Sequence, residues 1–222
     1  MSMITSLQLA DPQPIIARPF GDAIWLTDFI TPRNPDVMLK YQELTKGLTS
    51  PEDRITALWQ YVANLPYKET ITTRLSVNGK TIGQSDVWLY PSETIKVRVS
   101  NCANRSFLLT SLLKNELLTP RDVYCMLGNL RVNNIGAHAW SQVNLFGRKY
   151  FLETTQPNLE RAIIPVSVAT AYEEVVAFDE NRVYTVGSGA DVEGVLNSRF
   201  GLCAIGFLRD YLCRKCLGLE GI

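Results

Sequence analysis

Apolar positions follow a helical period through most of the first 120 residues and a two-residue period in the segments after Pro120. The strongest helical stretch begins at Phe107, with leucines at 108, 109, 112, 113 and 117. That spacing wraps a helix inside a core rather than laying one stripe on a surface. Ser100 and Asn101 stand just ahead of it, where a side-chain oxygen can accept the unpaired amides of a starting helix, and Pro120 stops it. With Asn101 as the N-cap, Cys102 becomes the first helical residue, its sulfur at the positive end of the helix dipole, where a thiolate is favoured over a thiol.

Upstream, residues 35–48 read as a helix. Ser50-Pro51-Glu52-Asp53 opens a second with a serine cap and proline at its first position, running to about Asn64 and burying Ile55, Leu58, Trp59 and Val62. Asn78-Gly79 predicts a hairpin between residues 70–77 and 80–82, and residues 86–94 read as a loop into one short helical turn. Beyond Pro120, residues 122–128, 137–145 and 149–154 read as strands, the last two joined at Phe146-Gly147. The end of the chain predicts strand-like segments at 163–168, 172–176 and 183–186 and a helix near 200–217. Residues 1–33 read as an extended arm with a strand at 23–26.

Composition narrows the choices. A chain of 222 residues can bury one sizeable core. Its 22 basic and 22 acidic residues cancel, so charge predicts neither a nucleic-acid nor an anionic-membrane partner. The first residues lack a basic segment followed by a long apolar one, so no secretory signal is expected, and no apolar run approaches the length that spans a bilayer. Five cysteines at irregular spacing do not make a disulfide framework, and a reducing cytoplasm is the expected setting. Cys203, Cys213 and Cys216 lack the fourth ligand a tetrahedral zinc needs, so neither metal nor cofactor is expected. Cys125 reads as a core residue.

The chemistry converges on the one histidine. His138 lies on the second predicted strand after Pro120. A two-residue turn at Phe146-Gly147 sets Leu145 opposite Arg148, carries position 138 opposite 155, and makes Glu153 the diagonal neighbour on the same face. A carboxylate there can accept a ring N–H and stabilise an imidazolium. Cys102, His138 and Glu153 thus form a nucleophile, base and orienter in chain order, and the Cys102 amide is a candidate oxyanion donor. Gln84, Trp88 and Asn101 are further oxyanion or cleft candidates, with packing the commoner fate of a Trp88. Asn104 and Arg105 could also line the cleft, although solvated surface is the commoner fate of an Arg105.

These residues resemble the transglutaminase-like superfamily of papain-type cysteine enzymes, which includes bacterial transglutaminase-like cysteine peptidases. The resemblance spans about Asp53 to Asn158. It rests on Ile55-x-x-Leu58-Trp59-x-Tyr61-Val62 with Pro66-Tyr67, Trp88-x-x-Pro91-x-Glu93-Thr94, Ser100-Asn101-Cys102, Thr119-Pro120-Arg121-x-Val123 with Gly128, Ala137-His138-Ala139-Trp140, and Leu152-Glu153-Thr154-Thr155. Ser100-Asn101 stand where the family has Gly-Asp, and Glu153 where it has Asp. The resemblance implies an α+β, papain-like fold with the nucleophile helix packed on an antiparallel sheet. Residues 51–158 would form the catalytic core, 1–50 an N-terminal arm and helix packed on it, and 159–222 an extension of the same domain and a candidate cover for the cleft. The implied function is a cysteine peptidase or amidase working through a thioester on a protein or peptide substrate. The alternatives are a catalytically inactive interaction module and a protein-glutamine acyltransferase. Substrate identity and oligomeric state stay open.

Overall fold

A computed structural model describes residues 7–9, 14–15, 24–69, 73–77, 80–84, 88–116, 123–132, 134–145, 147–156 and 158–186. The predicted C-terminal helix, with Cys203, Cys213 and Cys216, lies outside the described residues. The helices begin where the caps predict. Helix α1 (Pro35–Thr45) has Asn34 Oδ1 accepting from the Asp36 amide, and α2 (Pro51–Ala63) has Ser50 Oγ accepting from the Asp53 amide, each with proline at the first turn. Helix α3 (Pro91–Val97) is longer than the single turn expected. Helix α4 (Cys102–Leu113) starts at Cys102 behind Asn101, whose Oδ1 takes the Asn104 amide at 2.9 Å. It stops at Leu113, short of Pro120, and Leu117 lies outside the described residues.

Strands β1 (Leu7–Leu9), β6 (Val123–Val132), β7 (Asn134–Leu145), β8 (Arg148–Leu152), β9 (Ile163–Pro165), β10 (Tyr172–Phe178) and β11 (Val183–Val186) form one antiparallel sheet. Its order is β1-β11-β10-β6-β7-β8-β9. Two small ribbons stand apart: β2 (Pro14–Ile15) with β3 (Ile24–Trp25), and β4 (Thr73–Val77) with β5 (Lys80–Gln84). The strand expected over 163–168 is shorter, because Val166–Val168 turns into a 3-10 helix, and the short helix α5 (Leu159–Ala162) precedes it.

Every residue of α4 from Ala103 to Leu113 is buried. Phe107 and Ala103 pack with Phe29, Trp88, Cys125, Ala137 and Ala139, while Leu108, Leu109, Leu112 and Leu113 pack with Leu58, Val62, Val123 and Val143. The all-round leucine spacing therefore reports a helix enclosed between α1, α2, α3 and the β6–β7 face of the sheet. Its side toward β7 is small and polar: Thr110 and Ser141 share a hydroxyl bond of 2.9 Å, and Ser141 Oγ donates to the Ser106 carbonyl. Small groups at this contact let the helix lie close to the strand.

The opposite face of the sheet carries Met126, Trp140 and Phe151 in a third cluster, with Tyr172 against it. Gly128 pairs with His138 across β6 and β7 and with Glu174 across β6 and β10. A Cβ at Gly128 would lie 2.0 Å from the Glu173 carbonyl oxygen and 2.8 Å from Trp140 Cη2. A register shift in β10 between Glu174 and Val176 accompanies that approach. Gly128→Ala must therefore displace backbone beside the histidine strand. We expect a loss on the order of 1–3 kcal/mol, read as a lowered denaturation midpoint; an unchanged midpoint would mean that β10 can retreat without cost.

Candidate active site

The β7–β8 register sets Leu145 opposite Arg148 and Ser141 opposite Leu152, as a two-residue turn requires. Glu153 follows directly after β8, its amide bonded to the Ala162 carbonyl at 2.8 Å. His138 and Glu153 meet as the register dictates: Nε2 lies 2.6 Å from Glu153 Oε2, with both side chains buried. The ring also stacks on Trp140, two residues along the strand, at 6.0 Å between centroids.

Three further donors converge on the carboxylate. The Thr155 amide and the Thr155 hydroxyl each donate to Oε1 at 2.8 Å, and the Tyr172 hydroxyl donates to Oε2 at 3.1 Å. Trp59 Nε1 donates to the Glu153 main-chain carbonyl at 2.8 Å, tying α2 to the acid. Sequence reasoning missed these partners. Thr155 carries a readable signal, since a side-chain oxygen accepting the amide two residues on is a common local turn. Tyr172 carries none, because only the pairing of β10 with β6 brings it near.

Cys102 reaches this pair from the helix side. Ala137 and Ala139, on either side of His138, share a cluster with Ala103, and Cys102 packs on that cluster. The Cys102 side chain lies close enough to the imidazole to raise its affinity for a proton. Burial pulls the imidazolium down, but the Glu153 charge, the hydrogen bonds the ring makes with Cys102 and Glu153, and the Cys102 charge outweigh it and push His138 up to about 10. Burial raises Glu153, yet the His138 charge and the bonds from His138 and Thr155 hold it below the usual carboxylate range.

The remaining candidates separate. Asn101 is spent as the helix cap. Trp88 is buried edge-on to Phe29 and Phe107, at 5.5 and 5.2 Å, as a packing residue. Gln84 ends β5 opposite Thr73, and its side chain lies outside the described residues. Asn104 is fully buried and accepts from the Leu89 amide at 2.8 Å. Arg105 corrects the expectation of a solvated residue. It is buried, with Nε donating to Ser100 Oγ at 3.1 Å and the two terminal nitrogens to the Thr154 and Leu65 carbonyls. Three oxygen acceptors offset the cost of burying a guanidinium. Cys125 is buried, and burial pushes its thiol up, as suits a core residue.

Solved structures of LapG from Legionella pneumophila match this architecture. The calcium-bound form superposes at a TM-score of 0.51 with 11% identity, covering 81% of this chain and 89% of LapG. A second LapG structure gives 0.51 at 11% identity over 82% and 94%, and the EGTA-treated form 0.50 at 10% over 89% and 99%. The fold is LapG-like. It is an α+β fold of papain-like layout, a helix packed on an antiparallel sheet, and at 10–11% identity the likeness speaks to the fold alone. No family model and no curated protein matches the sequence. Among the described residues, no three His, Cys, Asp or Glu side chains gather as a metal site would require. Nor is any described helix long and apolar enough to cross a membrane.

The buried pair fixes a pH dependence. His138 is raised from 6.5, so its contribution to stability is complete below about pH 6.5 and disappears as pH rises through about 10. Glu153 is lowered from 4.5, so its contribution is present above 4.5 and is lost as pH falls through its depressed value. Denaturation midpoints of wild type and His138→Gln should differ most near about pH 5 to 6.5 and converge toward pH 10. A constant gap across the alkaline range would rule out a charged pair.

Proposed function

We propose that the chain is a cysteine-dependent hydrolase of amide or peptide bonds in which Cys102 is the nucleophile, His138 the proton carrier and Glu153 its orienter. The observation that carries this reading is the line of contacts from the Cys102 side chain through the imidazole to the buried Glu153 carboxylate, with 2.6 Å at its second link. A LapG-like fold supports it at the level of architecture.

The chemistry follows from those positions. With Nε2 held by Glu153, Nδ1 is the ring nitrogen left to serve the sulfur. The Cys102 sulfur attacks the carbonyl carbon, forming the S–C bond. The oxygen that becomes negative is within reach of the Cys102 amide, a helix-start donor with no partner inside the helix. His138 gives its proton to the leaving nitrogen as the C–N bond breaks, leaving a thioester. Water then attacks that thioester while His138 takes its proton; the C–S bond breaks and the acid departs. Glu153 holds the ring in one orientation through both steps and is itself held by Thr155 and Tyr172. A protein or peptide is the proposed substrate, and a reducing compartment suits a free thiol in this role.

Peptide-mapped iodoacetamide labelling near neutral pH tests the reading. Cys102 should react on the order of tenfold or more faster than the other four thiols and lose that advantage in His138→Ala. Equal rates for all five would leave a LapG-like scaffold without the chemistry, and release of the acyl group to an amine in place of water would move the reading to acyl transfer.

A further inference from the structure

The segment just before Cys102 does not run alone. Tyr67 and Ser100 form a parallel bridge, with the Lys68 amide donating to the Ser100 carbonyl at 2.9 Å and the Ser100 amide to the Pro66 carbonyl at 3.1 Å. Adjacent extended segments lie about 4.8 Å apart. Cys102 is two residues beyond Ser100, so the Tyr67 Cα stands within about 12 Å of the nucleophile's Cα.

Arg105 anchors the tyrosine from beneath. Its guanidinium carbon lies 5.0 Å from the centre of the Tyr67 ring. The guanidinium is fixed by Ser100, Thr154 and Leu65. Burial lowers Arg105, while the charges of Tyr67, Glu153 and Cys102 act in the opposite sense. Yet Tyr67 is 48% exposed, one of the few large apolar side chains left open among the described residues. A ring with its main chain bridged and a cation against it loses little conformational freedom when something packs on its open side.

We infer that Tyr67 forms the wall of a substrate subsite beside Cys102 and selects amide substrates that carry a large apolar, preferably aromatic, side chain within about three residues of the scissile bond. The inference rests on Cys102 being the reactive thiol. The polar groups around Arg105 all face inward to main-chain and Ser100 oxygens. What the ring offers a substrate is therefore an apolar π surface with one hydroxyl at its edge, a surface that rewards stacking more than charge.

The test compares two alkylating reagents on the full chain, iodoacetamide and N-(2-phenylethyl)iodoacetamide, each rate at Cys102 divided by the rate on free N-acetylcysteine. The phenylethyl reagent should be favoured about three- to tenfold at Cys102. That ratio should fall to about one in Tyr67→Ala and persist in Tyr67→Phe. No preference in the wild type, or the same preference in Tyr67→Ala, overturns the subsite. Rates that fall together in Tyr67→Ala with the ratio intact overturn it too, and leave Tyr67 as a clamp on Arg105. Slow reaction of Cys102 with both reagents but an intact wild-type ratio, lost in Tyr67→Ala, supports the subsite and tells instead against the thiol chemistry.

Discussion

A carboxylate and an imidazole meet at 2.6 Å, the acid fully buried and the ring nearly so, and the surrounding chain must make that arrangement tolerable. Taking two ionisable groups out of water is costly unless the pair is close and every remaining lone pair finds a donor. Glu153 meets the condition through both oxygens, one serving Thr155 and the other shared by His138 and Tyr172. Its main chain is fixed as firmly, the amide by Ala162 and the carbonyl by Trp59. Position 153 is thereby joined to α2, to β10 and to the end of α5.

Arg105 does for the helix start what these groups do for the acid. One guanidinium gathers Ser100, Leu65 just past the end of α2, and Thr154 beside the acid. The first turn of α4 is thus held to the strand side by a buried cation as well as by the alanine contacts around Ala103, Ala137 and Ala139. Ser100 and Asn101, which replace Gly-Asp of the resembling family, both have structural work. Ser100 accepts from Arg105 and pairs with residues 66–68, and Asn101 caps the helix.

Much of this arrangement was legible because it depends on local rules. Caps at Ser50 and Asn101 each rest on an oxygen three residues from the amide it serves. The turn at Phe146-Gly147 sets the register of β7 on β8 and so carries His138 to Glu153. Long-range partners left no such trace. Nothing near Arg105 in the sequence distinguishes a guanidinium that will find three carbonyl and hydroxyl oxygens from one that will face water. Tyr172 reads as one more strand residue until β10 is known to lie beside β6. Helix α4 ended before the proline expected to stop it, since a leucine pattern marks where a core will accept side chains and not where the backbone turns.

Strand β10 has a consequence for how the molecule is born. It supplies the tyrosine that completes the shell around Glu153, and its distorted register presses a carbonyl against the glycine facing His138. A ribosome that has released β6, β7 and β8 has already delivered sulfur, imidazole and carboxylate, yet β10 arrives only some twenty residues later and must pair with a strand already in place. Such distant pairings form slowly. The shell around the acid is therefore complete only once β10 has paired with β6, and a chain that stops short of Tyr172 lacks one of the donors to Glu153.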